Sequence, residues 1–376
     1  MIPRFSLSLS LSSLREISKV LRSGFLTSGP VTQEFETQFA KYVGTKYAVA
    51  VSSGTAALHL ALLGVEVKPG SEVILPSFTY HAAAAGVLYC NAIPVLVDVN
   101  PRTMCIEPEA ISEAITGRTR AIIATHFAGH PCNMKAILNV AEGNKLAVIE
   151  DAAHACGARY RSKRTGSIGK AGCFSFYPTK PLTTGEGGMI STNDSEIARR
   201  ARLLRGLATE RTGRLHYDVR ALGFTYRMSE LQASLGLYQL RYLERLNSVM
   251  RRRARILKER LRGIPGLILP HEALGAKHVY NLFVVQIISE RFGLSRDRVS
   301  ELLRKRGIET QLHYVPLHRL SFFARNAKFD KRKLKVSESL WRTVLSLPLY
   351  PSIRNSELKQ ISDVLLSCGS RVQRLF

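Results

Sequence analysis

Between residues 47 and 150, short β-rich runs alternate with helical stretches, and this alternation restricts the fold more than any other feature. Such an order is typical of a mostly parallel sheet that is covered by helices on both faces. We predict strands at residues 47–52, 72–75, 93–97, 121–125 and 146–150. The helices between them are predicted at residues 54–64, 81–89, 108–114 and 134–142. The sequence therefore predicts an α/β protein.

After residue 150 the pattern changes. Strands predicted at residues 171–176 and 188–192 lie close together, which favours an antiparallel insertion. Helices are predicted at residues 196–205 and 229–262, and the second ends at a Pro/Gly break that makes a good domain boundary. Beyond the break we predict a strand at residues 279–288 and a helix at residues 295–305. We predict a large domain of residues 1–250 and a smaller C-terminal α/β domain of residues 251–376, with the N-terminal 30 residues or so as a candidate to pack on it.

The net charge is the unusual compositional feature, because 54 Lys and Arg residues oppose 29 Asp and Glu residues, for a net charge of +25. Residues 1–150 hold 12 of the basic and 11 of the acidic residues, so nearly all of the excess follows residue 150. A nucleic-acid partner, an anionic substrate or a merely basic surface would each be compatible with it. The run Arg251–Arg253 with Arg255 lies beside Leu257 and Leu261 at helical spacing, which favours the solvated face of an amphipathic helix over a polyanion contact.

The six cysteines are scattered, without the paired spacing of a zinc site or a disulfide framework. This pattern is typical of a reducing compartment. The longest apolar run, residues 82–99, is interrupted by Asn91 and Pro94 and is too short to span a bilayer. We therefore expect a soluble, cytoplasmic protein with no membrane span and no bound metal.

Four segments contain residue types that can carry chemistry. Residues 52–57 (SSGTAA) form a small-residue turn before a helix, where backbone N–H groups can bind phosphate. A predicted strand ends near Glu150 and Asp151, at the carboxyl edge of the sheet, where an acid can bind a metal, a ribose or a protonated ring nitrogen. Lys180 stands alone in a Ser/Thr/Gly-rich loop that permits close backbone approach. The fourth segment, residues 223–230, leads into the long helix.

A phosphate cradle, an acid at a strand end and an isolated lysine are the parts needed to hold pyridoxal 5'-phosphate (PLP). The residues alone leave other ligands open. The same segments, however, resemble the DegT/DnrJ/EryC1/StrS family of PLP-dependent sugar aminotransferases over nearly the whole chain. The resemblance is carried by residues 24–30 (GFLTSGP), 76–80 (PSFTY), 150–154 (EDAAH), 174–180 (FSFYPTK), 185–188 (GEGG), 313–318 (HYVPLH) and 345–351 (LSLPLYP). It implies the fold type I aminotransferase architecture, with a mostly parallel seven-stranded sheet flanked by helices and a smaller C-terminal α/β domain.

The resemblance also implies roles for individual residues. Lys180 would be the catalytic Schiff-base lysine, and Asp151 would be the partner of the pyridinium nitrogen. Gly54 and Thr55 would bind the phosphate mainly through backbone groups, and Ser175 would add a hydroxyl.

Four further positions match the family less strictly. Tyr80 falls where the family places an aromatic ring against the cofactor, although a core aromatic would look the same. His154 matches a residue that contacts the phenolic oxygen of the cofactor, and its alternative role is a structural histidine at the strand end. Thr225 stands where the family commonly has an Asn that reaches the phosphate of the neighbouring subunit, which puts that contact in doubt. Pro181 replaces a common Asn and removes one N–H donor.

The implied activity is amino transfer from an amino acid, with glutamate expected, to a keto group of a nucleotide-linked deoxysugar, as in surface-polysaccharide or natural-product sugar biosynthesis. A homodimer is expected, because family sites form at the subunit interface. The candidates to bind the diphosphate of a nucleotide-sugar are Arg205, Arg211 and Arg227.

Three alternatives stay open at this point. A related branch of the family removes a hydroxyl and has His in place of the lysine, so the presence of Lys180 argues against it. The same amino transfer to a non-sugar cyclic ketone is a second alternative. The third is a non-catalytic basic protein on this fold that binds nucleic acid or a membrane surface.

Overall fold

A computed structural model describes residues 1–7 and 9–373 of the chain. The helices are α1 (Ser12–Ser23), α2 (Pro30–Val43), α3 (Gly54–Gly64), α4 (Ala82–Tyr89), α5 (Pro108–Ala114), α6 (Met134–Gly143), α7 (Ser195–Arg205), α8 (Glu230–Leu240), α9 (Leu243–Leu261), α10 (Ser289–Phe292), α11 (Arg296–Lys305), α12 (Ser321–Asn326), α13 (Lys335–Thr343) and α14 (Asn355–Gln373). The strands are β1 (Tyr47–Val51), β2 (Glu72–Pro76), β3 (Ile93–Val97), β4 (Thr119–Thr125), β5 (Ala147–Asp151), β6 (Arg159–Tyr160), β7 (Lys163–Arg164), β8 (Ala171–Ser175), β9 (Gly188–Thr192), β10 (Thr209–Arg211), β11 (Tyr217–Val219), β12 (Leu267–Ile268), β13 (Ala276–Lys277), β14 (Phe283–Ile287) and β15 (Val344–Leu347).

A seven-stranded sheet with the order β1-β9-β8-β5-β4-β2-β3 forms the centre of the molecule. The strands β8, β5, β4, β2 and β3 pair in parallel. Strand β9 runs antiparallel to both of its neighbours, β1 and β8. The predicted α/β class, the mostly parallel sheet and the antiparallel insertion are confirmed.

The two faces of this sheet are covered by different helices. On one face α3 is almost entirely buried, since it packs between the sheet and helices α4 and α7. Its sequence is therefore apolar on all sides rather than on one stripe. The other face carries a second apolar cluster that includes residues of α5 and α6. Because both faces of the sheet are covered, the carboxyl ends of its parallel strands are where a cavity can open.

A small antiparallel sheet, β12-β14-β15, lies in the C-terminal part of the chain and has its own core. Ile2 belongs to this core and pairs with Ile308, whereas α1 packs against α8. The core also includes Met250 and Leu257 of α9, so the proposed division after residue 250 falls inside a helix. That division stays a prediction. No helix in the described part of the chain has the length and apolar character needed to cross a membrane.

The prediction of one helix over residues 229–262 is wrong, because α8 ends at Leu240 and α9 starts at Leu243. The side chain of Gln239 accepts a hydrogen bond from the Thr183 N–H at 3.3 Å and donates one to the Thr183 carbonyl at 2.7 Å. These bonds fix the end of α8 beside the lysine loop, while α9 turns toward the C-terminal core. The break depends on a contact that is distant in sequence, and no Gly or Pro marks it.

Glu230, the first residue of α8, holds the start of α2 in place. Its buried carboxylate accepts hydrogen bonds from the N–H groups of Gly29 at 3.0 Å, Val31 at 2.9 Å and Thr32 at 2.9 Å. The hydroxyl of Thr32 donates to the same carboxylate. The first N–H groups of a helix have no partner within the helix, so Glu230 supplies the N-terminal cap that Gly29 lacks.

We expect Glu230→Ala to lower the free energy of unfolding by about 3 kcal/mol, because it leaves several buried N–H groups without an acceptor. Urea unfolding of the holoenzyme, followed by circular dichroism, measures the change. Glu34→Ala is the matched control, since Glu34 lies on α2 and its carboxylate bonds, among the described residues, only to Gln38 at the surface. An equal effect of the two substitutions would contradict the capping role.

Candidate active site

A cavity of about 1120 Å³ opens at the carboxyl ends of the parallel strands. Seven of the eight residues predicted for the site line it. They are Gly54, Thr55, Tyr80, Asp151, His154, Ser175 and Lys180. The eighth, Thr225, is exposed and pairs with Gly206 outside this cavity.

One wall of the cavity is the start of α3. The Ser53 hydroxyl accepts a hydrogen bond from the Ala56 N–H at 3.1 Å, and no hydrogen bond within the described residues uses the N–H groups of Gly54 or Thr55. A Cβ at position 54 would lie 2.8 Å from the Cβ of Ser175, so only glycine fits. Free N–H groups at the positive end of a helix, with a serine beside them, form a cradle for an anion.

Asp151 and Lys180 lie in the same cavity and influence each other electrostatically. Burial raises the pKa of Asp151, and the Ala153 N–H at 3.1 Å and the Lys180 amine oppose that rise. Burial lowers the pKa of Lys180 to about 8, against the attraction of Asp151. An amine with this pKa is partly neutral near physiological pH, and can therefore accept and donate protons.

Glu150, the neighbour of Asp151 on β5, has a different environment. Its carboxylate accepts hydrogen bonds from the N–H groups of Gly166, Ile168 and Gly169 at 2.7–2.8 Å and lies 2.9 Å from Nε2 of His126. Burial raises its pKa, but these bonds outweigh burial and the net shift is downward. Successive side chains of a strand point to opposite faces. Glu150 therefore binds the loop of residues 166–169, whereas Asp151 faces the cavity.

The proton on His154 can be assigned from its two partners. Its Nδ1 accepts a hydrogen bond from the Ala128 N–H at 3.3 Å, so the proton of the neutral ring is on Nε2. Nε2 lies 3.0 Å from the hydroxyl oxygen of Tyr314 and donates to it. Burial, Lys180 and His313 lower the pKa of His154 well below its usual value and keep the ring neutral. The hydroxyl proton of Tyr314 is then free to point into the cavity.

Three residues that line the cavity have no site role predicted from the sequence: His313, Tyr314 and Asn281. Nδ1 of His313 is 2.8 Å from the Ser346 hydroxyl, and burial, with help from Lys180 and Arg4, lowers its pKa to about 4. The Tyr314 ring lies 5.6 Å from the ring of Tyr80. The sequence signal for the first two is the HYVPLH motif of residues 313–318, which carries the family resemblance but indicates no role by itself.

The residues present fit PLP. Besides the anion cradle, the acid and the amine, the side-chain N–H₂ group of Asn281 is buried at the cavity wall without a hydrogen-bond partner among the described residues. A buried donor without an acceptor is costly, so this group is suited to an acceptor that enters from the cavity.

The arginines named from the sequence do not line this cavity. Arg205 donates to the carboxylate of Glu36 and to the carbonyl of Ala50, so it is already engaged within the chain. The role of the three arginines at substrate phosphate stays a prediction. The cations that do line the cavity include Arg4 and Arg245.

Comparisons with known proteins agree with this geometry. The model of the DegT/DnrJ/EryC1/StrS aminotransferase family matches residues 9–366. GDP-perosamine synthase of Caulobacter vibrioides is 41% identical over 88% of this chain and 88% of its own length. The spore coat polysaccharide biosynthesis protein SpsC of Bacillus subtilis is 37% identical over 94% of this chain and 93% of its own. The solved structure of DesV from S. venezuelae is 36% identical, with a TM-score of 0.92, and covers 98% of this chain and 99% of that chain.

Proposed function

We propose that this chain, which belongs to the DegT/DnrJ/EryC1/StrS aminotransferase family, transfers an amino group from glutamate. The proposed acceptor is a keto group of a nucleotide-linked deoxysugar. The family is PLP-dependent, and the chain is a PLP-dependent transaminase with the fold type I architecture. The observation that carries the proposal is the location of Lys180 and Asp151 in one cavity with an anion cradle. The assignments of individual residues below are part of the proposal.

PLP, when bound, supplies an aldehyde that bonds to amines and a ring that accepts electrons. The N–H groups of Gly54 and Thr55 and the hydroxyl of Ser175 hold its phosphate. The carboxylate of Asp151 holds a proton at the ring nitrogen. The neutral amine of Lys180 acts as general base and removes the proton from the α-carbon of the amino acid. In the half-reaction with the acceptor it acts as general acid and delivers a proton to the carbon that carried the keto group. The Tyr314 hydroxyl, positioned by His154, donates a hydrogen bond to an oxygen of the ligand that is bound in the cavity.

The size and charge of the cavity support a nucleotide-linked acceptor. A volume of about 1120 Å³ exceeds what a cofactor of this size needs, and Arg4 and Arg245 supply positive charge on its wall. GDP-perosamine synthase is named for a nucleotide-linked amino sugar, and SpsC for polysaccharide biosynthesis. A diphosphate in the acceptor would match those cations.

Glutamate as donor and a nucleotide-linked ketosugar as acceptor can be tested through the two half-reactions. Glutamate should convert the bound cofactor to its aminated form, and a nucleotide-linked 3-keto or 4-keto sugar should reverse the conversion, both followed by cofactor absorbance. The matched control is the same ketosugar without its nucleotide, which should react at least about 100-fold more slowly. Equal rates with a simple cyclic ketone would reject the proposed acceptor and leave the transaminase chemistry standing.

A homodimer is the second part of the proposal. The hairpin β10–β11 and the residues after it expose apolar side chains, among them Leu215, Tyr217 and Leu222. This surface precedes Thr225, which in the family faces the neighbouring subunit. A second copy of the chain would cover these side chains. Sedimentation of the holoenzyme that shows an active monomer would reject this part. The cytoplasmic location also stays a prediction.

The lowered pKa of Lys180 predicts how the apoenzyme captures PLP. Only the neutral amine attacks the aldehyde, and the neutral fraction rises as pH rises through the pKa of about 8. We expect the capture rate to increase up to about pH 8 and then level off, instead of increasing to the usual lysine value of 10.5. Stopped-flow absorbance across pH 6–10 measures this. A rate that still rises steeply above pH 9 would contradict the effect of burial on the amine.

A further inference from the structure

A second cavity, of about 530 Å³, lies along α9 and is called here the basic groove. Its lining consists of Ser248, Arg251, Arg252, Arg255, Lys258, Glu259, Arg262, Glu272 and Tyr280. None of these residues lines the active-site cavity. The basic groove is therefore a feature of the molecule that the proposed function does not use.

The groove follows one face of α9. Its residues between Ser248 and Arg262 recur at intervals of three and four, which places them on one stripe of the helix. Met250, Leu257 and Leu261 are buried on other faces. At 1.5 Å per residue, the part of the stripe that lines the groove, from Ser248 to Arg262, is about 21 Å long. These buried apolar side chains anchor α9 with the charged stripe turned toward the groove.

Two of the five cations are already neutralised within the groove. Arg251 donates to the Glu272 carboxylate at 2.9 Å and to the carbonyl of His278 at 2.6 Å. The same carboxylate also accepts hydrogen bonds from the Tyr280 hydroxyl at 3.1 Å and from the His278 N–H at 3.3 Å. Arg255 forms a long, exposed contact of 4.0 Å with Glu259. The charges of these two pairs cancel, although the second is too exposed to be strong.

The other three cations, Arg252, Lys258 and Arg262, have no ion pair or side-chain hydrogen bond with any described residue. Of the three, Lys258 acts electrostatically on two nearby histidines. The pKa of His271 is lowered by burial and by Arg102, with a contribution from Lys258. The pKa of His278 is lowered by burial and by His130, with contributions from Arg251 and Lys258. The groove therefore holds about three uncompensated positive charges in a concave site.

We propose that the basic groove binds a small ligand that carries two or three linked phosphates. The charge of such a group is close to the uncompensated charge of the groove, and the volume is in the range of small-ligand sites. Arginine also matches the oxygen geometry of phosphate with two parallel N–H donors. A nucleic acid is less suited, because the stripe ends after about 21 Å and Glu259 and Glu272 occupy its wall. This proposal does not depend on the proposed function.

The experiment is isothermal titration of inorganic tripolyphosphate into the holoenzyme, with the PLP absorbance recorded in the same samples. We expect saturable binding at the groove, in addition to any binding at Arg4 and Arg245 of the active-site cavity, and an unchanged absorbance. The triple variant Arg252→Gln, Lys258→Gln, Arg262→Gln should weaken binding by about 100-fold, since three charge-assisted contacts are lost. The matched control, Lys135→Gln, Lys305→Gln, Arg325→Gln, removes the same charge from positions without described ion pairs elsewhere and should weaken binding by less than about 3-fold. Both variants should keep the transaminase activity, which shows that they fold.

Four results would overturn the proposal: the absence of saturable binding, an equal loss in both triple variants, displacement of PLP by tripolyphosphate, or tighter binding of duplex DNA than of tripolyphosphate at the same residues. Titration with ATP in the same variants separates the sources of the phosphates. Tighter binding of ATP than of tripolyphosphate would assign the groove to a nucleotide, and the reverse would assign it to an inorganic oligophosphate. Either order of the two affinities supports the proposal when the Arg252→Gln, Lys258→Gln, Arg262→Gln variant loses the binding.

Discussion

Replacement of Lys180 by alanine should lower the transamination rate by about 10⁴-fold, the upper end of what a positioned acid–base group contributes. The substitution removes the only amine whose lowered pKa and proximity to Asp151 suit it to move the proton at the α-carbon, among the described residues of the cavity. Single-turnover kinetics with glutamate measures the loss. Treatment with borohydride gives an independent readout, because it should attach PLP to the wild-type chain and leave the variant unlabelled.

Lys170→Ala is the matched control for this prediction. Lys170 is exposed and directly precedes β8, the strand that leads into the lysine loop. This variant should keep both the rate and the borohydride labelling. A Lys180→Ala enzyme that is still labelled, or that turns over normally, would place the essential amine elsewhere.

Asp151→Asn should lower the rate by about 10³-fold, the second-largest effect that we expect. The amide keeps the size of the side chain and can still accept the hydrogen bond from the Ala153 N–H. It cannot hold a proton at the ring nitrogen as a carboxylate does, so the ring becomes a poorer acceptor of electrons. The deficit should appear in kcat rather than in the KM for glutamate, since Asp151 acts on the cofactor and not on the amino acid.

The control for Asp151 is Asp363→Asn, at an exposed position of α14 where the carboxylate pairs with Lys359. Its kinetics should match those of the wild type. Should Asp151→Asn raise KM for glutamate with kcat unchanged, the carboxylate would instead be part of the substrate site, and our assignment of its role would be wrong.

The fold could be predicted largely from local pattern. The helix predicted at residues 54–64 is α3 as observed, and the strand predicted at residues 93–97 is β3. Both are short apolar elements bounded by turn residues, and such patterns are read within a few positions. The break between α8 and α9 could not be predicted, because it depends on the bonds between Gln239 and the backbone of Thr183, far away in the sequence.

The residues of the site also differ in how far the sequence predicts them. Asp151 and Lys180 were found because a strand end and a lysine-bearing loop are local features. The residue pattern alone does not separate Glu150 from Asp151, and only the family resemblance points to Asp151. The loop at Gly166–Gly169 that engages Glu150 is visible only in three dimensions. Tyr314 reaches His154 from the far end of the chain, and no spacing rule predicts such a contact.

The position of β9 between β1 and β8 has a consequence for how the molecule folds. The anion cradle combines the turn after β1 with Ser175 at the end of β8, so it exists only once β9 has joined two strands that are far apart in the chain. Contacts of such long sequence separation form slowly, because the chain must lose entropy before they stabilise it. A cofactor held by the cradle binds the completed sheet and not its precursors, and by mass action it shifts the folding equilibrium toward that state. The cradle thus couples the closure of the sheet to the availability of the cofactor that the enzyme needs.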